Sequence, residues 1–147
     1  MPKLVLHITL VQLEQAAPFI YSKVYKLLTK EEFTNNAKLG KVLARKCTKC
    51  GHLHLITTYF CQNCGNKGFE NVIIDGKGTI VTYTIITVPP EGYEKYVPYA
   101  WVVMKLDNSE LSISGFMAGI KSPADLPLGT KVKITDHDER GIIIEKQ

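Results

Sequence analysis

Cys47-Thr-Lys-Cys50-Gly51-His-Leu-His-Leu-Ile-Thr-Thr-Tyr-Phe-Cys61-Gln-Asn-Cys64-Gly65 is the stretch on which the reading of this chain turns. It contains all four cysteines of the 147 residues, arranged as two Cys-x-x-Cys pairs ten residues apart, each followed at once by glycine. Two residues between thiols let one tight turn aim both at a single ion, and glycine takes the backbone conformation that a side chain would resist. Two such turns supply four thiolates, a closed tetrahedral shell with no position left for water, so the metal is expected to be structural.

Competing readings of these residues are weaker. Four cysteines allow three disulfide connectivities, but paired C-x2-C spacing suits a metal better than bridges. Zinc is the expected ion, with iron in a rubredoxin-like site as the alternative. His52 and His54 are not expected to be ligands, because the cysteines already fill the shell and H-L-H-L suits one face of a short strand.

Working outward, the N-terminal side is expected to be helical after an initial strand. Leu4, Leu6, Ile8 and Leu10 alternate with period two, whereas Ala16, Ile20, Val24, Leu27 and Leu28 follow helical spacing, with Pro18 suited to a first helical turn. Thr29-Lys-Glu-Glu32 has the form of a capping box, predicting a second helix over Lys30–Leu39, ended by Gly40, with Phe33 and Ala37 on its buried side. Lys41 to Arg45 leads from there into the first Cys-x-x-Cys turn.

The C-terminal side reads as β throughout. Gly76-Lys-Gly78 suggests a bulge or bend entering a long β-branched strand, Thr79–Val88, which Pro89-Pro90 stops. Strands Tyr99–Leu106 and Leu111–Ile120 follow, separated by an Asp107-Asn108 turn; after a connector come Lys131–Thr135, a turn over Asp136–Gly141, and Ile142–Glu145. Five strands with a long first one and a break between the third and fourth suit an OB-fold barrel. The fold class is therefore mainly β with N-terminal helices, divided into an N-terminal segment 1–40, a zinc ribbon 41–70 and a barrel 71–147.

Charge separates these parts. Residues 1–70 hold ten Lys+Arg against four Asp+Glu, a balance of +6, while residues 71–147 hold eight against ten, a balance of −2. No membrane span is expected, since the longest apolar run, Leu4–Leu13, is short and interrupted by His7, Thr9 and Gln12. Lys3, that run and Ala16-Ala17 have the order of a secretory leader, but a single lysine is a thin positive end and a reduced thiolate site belongs in the cytosol; a cytoplasmic chain is expected.

The ordered set G-K-V-L-A-R-K-C-x-x-C-G, C-x-x-C-G, G-K-G-T-I-V-T-Y-T, a P-P loop, V-P-Y-A-W-V-V-M-K-L-D and P-L-G-T-K-V-K-I resembles the OB-fold acyl-CoA-associated proteins over about Phe33–Glu145. The resemblance implies N-terminal helices, a rubredoxin-like zinc ribbon and a C-terminal OB barrel. It also implies a non-catalytic partner of thiolase-fold enzymes, which in archaeal members bridges acetoacetyl-CoA thiolase and hydroxymethylglutaryl-CoA synthase in the mevalonate pathway. The chain departs from the pattern at Leu55–Phe60, where a proline pair is common, and over its first thirty residues.

Candidate residues follow from these readings. Cys47, Cys50, Cys61 and Cys64 are the metal ligands, and Tyr83, Tyr96, Tyr99 and Trp101 are candidate contacts for coenzyme A or an acyl-CoA bound with the partner. On the second barrel strand Ala100, Val102, Met104 and Leu106 form one apolar face, leaving Tyr99, Trp101, Val103 and Lys105 on the other. An enzyme is disfavoured because the thiols are committed to metal and His137 lies among charges expected to form a solvated turn. Zinc ribbons and OB-folds also bind single-stranded nucleic acid, with aromatic rings stacking on bases, but the barrel's negative balance counts against that alternative.

Overall fold

The computed structural model describes residues 29–147; the strand over Leu4–Leu10 and the helix begun at Pro18 lie outside the described residues. The chain divides into two compact units, Met1–Glu32 and Phe33–Gln147, and all eight strands among the described residues belong to the second. Helix α1 covers residues 29–38 and ends at Gly40, whose φ of 69° is the left-handed cap that glycine adopts without cost. Ala37 is buried and Phe33 packs against the barrel core, as the helical spacing predicts.

The ribbon is a three-stranded antiparallel sheet, β1 (Lys41–Cys47), β2 (Leu53–Leu55) and β3 (Phe69–Asp75), in the order β2-β1-β3. Sequence reading treats Lys41–Arg45 only as a lead into the first turn, yet it is the central strand. Its full register with β3, from Lys41↔Asp75 to Cys47↔Phe69, carries the first cysteine at one end and roots the ribbon at the other.

The barrel contains β4 (Lys77–Ile86), β5 (Tyr99–Leu106), β6 (Ser112–Ala118), β7 (Lys131–Asp138) and β8 (Gly141–Lys146). Its order, β4-β5-β6-β8-β7 closing back on β4, is antiparallel except for β6 beside β8, and is the OB topology. Ala100, Val102, Met104 and Leu106 all face the core, as their alternation predicts, opposite Ile134 and Ile144 from the last two strands. In the connector after β6, Asp125 accepts hydrogen bonds from the amides of Lys121 and Ser122, fixing a short 3-10 turn that delivers Leu126 into the core.

Two local expectations need correction. Of the bulge or bend expected at the glycines at 76 and 78, the bulge is displaced to between Ile80 and Thr82, while Gly76 is the single residue by which the chain passes from β3 of the ribbon into β4 of the barrel. Glycine is required because backbones pass too close for a side chain: a Cβ on Gly78 would stand 2.2 Å from the Lys105 carbonyl oxygen, and one on Gly76 2.6 Å from that of Gly40. The turn expected over Asp136–Gly141 is shorter, since β7 runs to Asp138 after a bulge between Ile134 and Asp136 that absorbs the break in its apolar pattern. His137 thus sits in a strand, edge-on to Phe33 at 6.3 Å, rather than in a solvated turn.

Ribbon and barrel meet without a flexible linker. Val42 of β1 belongs to the barrel's apolar cluster, the Gly76 amide donates to Gly40, and the Ile134 amide donates to Gly76. With its base embedded this way, the ribbon is a rigid projection from the barrel.

Candidate metal centre

The two Cys-x-x-Cys-Gly turns repeat one geometry. In the first, the Gly51 amide donates to Cys47 O at 2.9 Å and the Cys47 amide to His52 O at 2.9 Å; in the second, Gly65 donates to Cys61 O at 2.8 Å and Cys61 to Asn66 O at 2.7 Å. Both glycines have φ near +70°, at 72° and 71°, which explains their place directly after each pair.

These turns bring all four sulfurs within 4.8 Å of one another, with Cys47 Sγ 3.6 Å from Cys64 Sγ and Cys50 Sγ 3.4 Å from Cys61 Sγ. None is disulfide-bonded. Zn–S bonds of about 2.3 Å in a tetrahedron require sulfurs about 3.8 Å apart, so the cluster fits a zinc ion with only small adjustment. Cys47 and Cys61 are buried, Cys64 is half-buried and Cys50 is exposed.

Polar side chains surround the cage. Asn66 Nδ2 reaches Cys47 Sγ at 3.5 Å while also donating to Thr48 Oγ1 and Gly68 O. His54, buried against Phe69, places Nε2 3.3 Å from Cys61 Sγ, and its exposed neighbour His52 lies ring to ring at 4.8 Å. Neither His54 nor Asn66 is expected from sequence to serve the sulfurs. The available signal is positional: Asn66 follows the glycine of the second turn, and His54 is the inward member of an alternating pair.

The thiols divide electrostatically. The Cys50 amide holds the Cys47 thiol down at about 5, with Asn66 assisting against the cost of burial. At Cys64 the Asn66 amide favours the thiolate, but burial and the three neighbouring sulfurs outweigh it and push the thiol up to about 12. Four sulfurs this close resist carrying four negative charges unaided, and a divalent cation at their centre removes that conflict.

The candidate aromatic residues do not form one site. Tyr83 packs on the barrel core with its hydroxyl 3.5 Å from Pro123 O. Tyr96 and Tyr99 join a cluster about Phe116: Tyr99 is 3% exposed and stacks on Phe116 at 4.7 Å, and the Arg140 guanidinium lies 4.7 Å from Phe116 and 4.8 Å from Tyr96. Asp138 grips that guanidinium from the side, and Tyr96 donates to Glu139 Oε1 at 2.7 Å. Trp101 stands outside this stack, 39% exposed. A separate open cleft of about 610 Å³, between Gly51-His52-Leu53 and the β5–β6 loop, is lined by none of the four.

Fold and cage together define a four-cysteine zinc ribbon followed by an OB barrel. Residues 35–70 match the rubredoxin-like zinc ribbon domain of ChsH2, and residues 72–135 match the ChsH2 C-terminal OB-fold domain. The chain is 30% identical over 108 residues to a DUF35 domain-containing scaffold protein of Pyrococcus furiosus, covering 71% of this chain and 78% of that protein. A scaffold protein of the same description from Methanocaldococcus jannaschii is 29% identical over 104 residues, 67% of this chain and 72% of its own length. The chain belongs to this DUF35 family.

Solved structures share the fold. The Ltp2-ChsH2(DUF35) aldolase superimposes with a TM-score of 0.63 at 19% identity, covering 80% of this chain and 93% of that one. A DUF35 protein of unknown function from Sulfolobus solfataricus gives 0.58 at 23% identity, covering 89% and 99%. Among the described residues, no helix is long and apolar enough to cross a membrane.

Proposed function

We propose that this chain is a non-catalytic scaffold or accessory subunit, in which Cys47, Cys50, Cys61 and Cys64 hold a zinc ion and the ribbon and N-terminal segment dock a thiolase-like enzyme. In its specific form it acts in the cytoplasm, bridging acetoacetyl-CoA thiolase and hydroxymethylglutaryl-CoA synthase of the mevalonate pathway. Segments 1–40, 41–70 and 71–147 would be its working parts, with the ribbon's last strand carried on past residue 70 to Asp75. The scaffold description carried by the archaeal relatives supports the reading.

The observation that carries it is a cage joined rigidly to a barrel whose aromatic face is used internally. All four thiols stand together in one closed cluster. Tyr99 and Phe116 are buried beneath Tyr96 and Arg140, where rings stabilise the barrel rather than await a substrate. Zinc held there would supply folding energy and fix the ribbon's shape. Trp101, by its exposure, is better placed than the buried Tyr99 to touch coenzyme A at a shared interface.

One feature favours the alternative, a single-stranded nucleic-acid binder: Tyr59 and Phe60 are exposed in a ribbon that also carries Lys46, Lys49 and Lys67. The barrel gives it little support, since its balance is −2 and four of its eight basic side chains, Lys95, Lys105, Lys131 and Arg140, are each paired with a carboxylate. Size-exclusion chromatography with light scattering separates the readings. The scaffold elutes as one complex with purified thiolase and synthase. Elution of the chain alone, together with salt-sensitive retention of a single-stranded oligonucleotide, would favour the alternative.

A further inference from the structure

The end of β2 and the loop after it, from Leu55 to Phe60, leave three large apolar side chains in water within six residues: Leu55 is 37% exposed, Tyr59 79% and Phe60 59%. Single exposed apolar residues are ordinary, but a local group with two aromatic rings is a docking signature. The loop is also firmly held. Its Thr58 amide donates to Leu55 O at 3.0 Å, Arg45 Nη1 donates to Thr58 O at 3.0 Å, and Phe60 runs directly into Cys61 of the cage. Rings presented on so constrained a loop lose little conformational freedom when they bind.

Charge identifies the kind of surface that fits them. Between Lys41 and Glu70 the ribbon has five basic side chains and one acid, Glu70 itself. Lys46, Lys49 and Lys67 have no ion pair among the described residues, and Arg45 is used to hold the loop. An acceptor for this arm should offer an apolar socket with carboxylates around its rim, which both attracts the arm and selects its orientation.

We propose that Tyr59 and Phe60 are the anchors by which this chain seats in an acid-rimmed apolar socket on its thiolase-like partner. The proposal rests on the scaffold reading and assigns that contact to particular residues. The metal shapes the arm, the Arg45 bond sets the loop, and the two rings enter the socket.

The test uses the full zinc-loaded chain and purified thiolase as the probe, with affinity measured by calorimetry at low and high salt. Tyr59→Ser combined with Phe60→Ser should weaken binding roughly a hundredfold, as loss of two central aromatic anchors does, while metal content and far-ultraviolet circular dichroism stay as in the parent. Lys49→Glu with Lys67→Glu should weaken it about tenfold at low salt and much less at high salt. Leu128→Ser, at an exposed apolar position on the barrel, should stay within about twofold of the parent. A parent that binds thiolase and a ring-deleted variant that binds equally well overturn the anchors and leave the scaffold reading standing. Tighter binding by the lysine-reversed variant overturns the acidic rim, and a parent that binds no thiolase overturns both readings. Loss of oligonucleotide binding in the ring-deleted variant, with thiolase binding unchanged, assigns the loop to nucleic acid and overturns the proposal.

Discussion

Replacing Phe116 with alanine should separate a structural aromatic cluster from a ligand-gripping one. The ring is completely buried, stacked on Tyr99 at 4.7 Å, met edge-on by Tyr96 at 5.8 Å, and covered by Arg140 at 4.7 Å. A Phe→Ala change at such a site costs about 3–5 kcal/mol in lost transfer energy and cavity formation. Two aromatic contacts of about 0.5–1.5 kcal/mol each and one cation–π contact of about 0.5–2 kcal/mol place this site toward the upper end, about 4–5 kcal/mol. Domain stabilities are about 5–15 kcal/mol, so the loss is large but need not abolish folding. Urea titration followed by tyrosine and tryptophan fluorescence should show the barrel midpoint falling by about 2 M for a slope near 2 kcal/mol/M. Metal content, set in the ribbon, should stay at the parent value. A loss below about 1.5 kcal/mol would refute the claim that these rings hold the barrel together.

Further predictions concern the backbone, the cage and pH. Gly78→Ala places a methyl group 2.2 Å from the Lys105 carbonyl oxygen, and should cost at least about 3 kcal/mol by thermal melting or leave the chain insoluble. Cys61→Ser combined with Cys64→Ser should reduce bound zinc, measured by elemental analysis, to well under one ion per chain and melt the ribbon; iron in place of zinc would select the rubredoxin-like alternative. The Arg140 hydrogen bonds hold the Asp138 carboxyl below the usual carboxylate range. Their contribution should be complete above the unfolded value, about 3.9, and vanish as pH falls through the lower folded value. Melting of Asp138→Asn against the parent should therefore show a gap that is constant from pH 7 to about 5 and closes in stronger acid; a gap unchanged down to pH 2.5 would contradict the pairing.

Much of this architecture is legible in sequence because it rests on local rules. The Cys-x-x-Cys-Gly repeats specify two turns whose sulfurs do converge, and period-two alternation from Ala100 to Leu106 correctly separates the core face. What is missed depends on partners distant in the chain. β3 interrupts its apolar residues with Glu70, Asn71 and Asp75, and becomes a strand by pairing along all seven residues of β1. Tyr99 shares a strand face with the exposed Trp101, but Phe116 from the next strand, with Arg140 above it, buries one ring and not the other. His54 meets Cys61 because the second turn folds back onto β2, a closure that the H-L-H-L alternation does not encode.

The central claim is that a thiolate-held ion shapes an arm through which this chain grips another protein. Calorimetric titration of purified thiolase with the zinc-loaded chain, and with the same chain stripped of metal by a chelator, tests it most directly. The account predicts saturable binding by the loaded chain, loss of that binding on stripping, and recovery when zinc is restored. Equal affinity with and without the ion would contradict it.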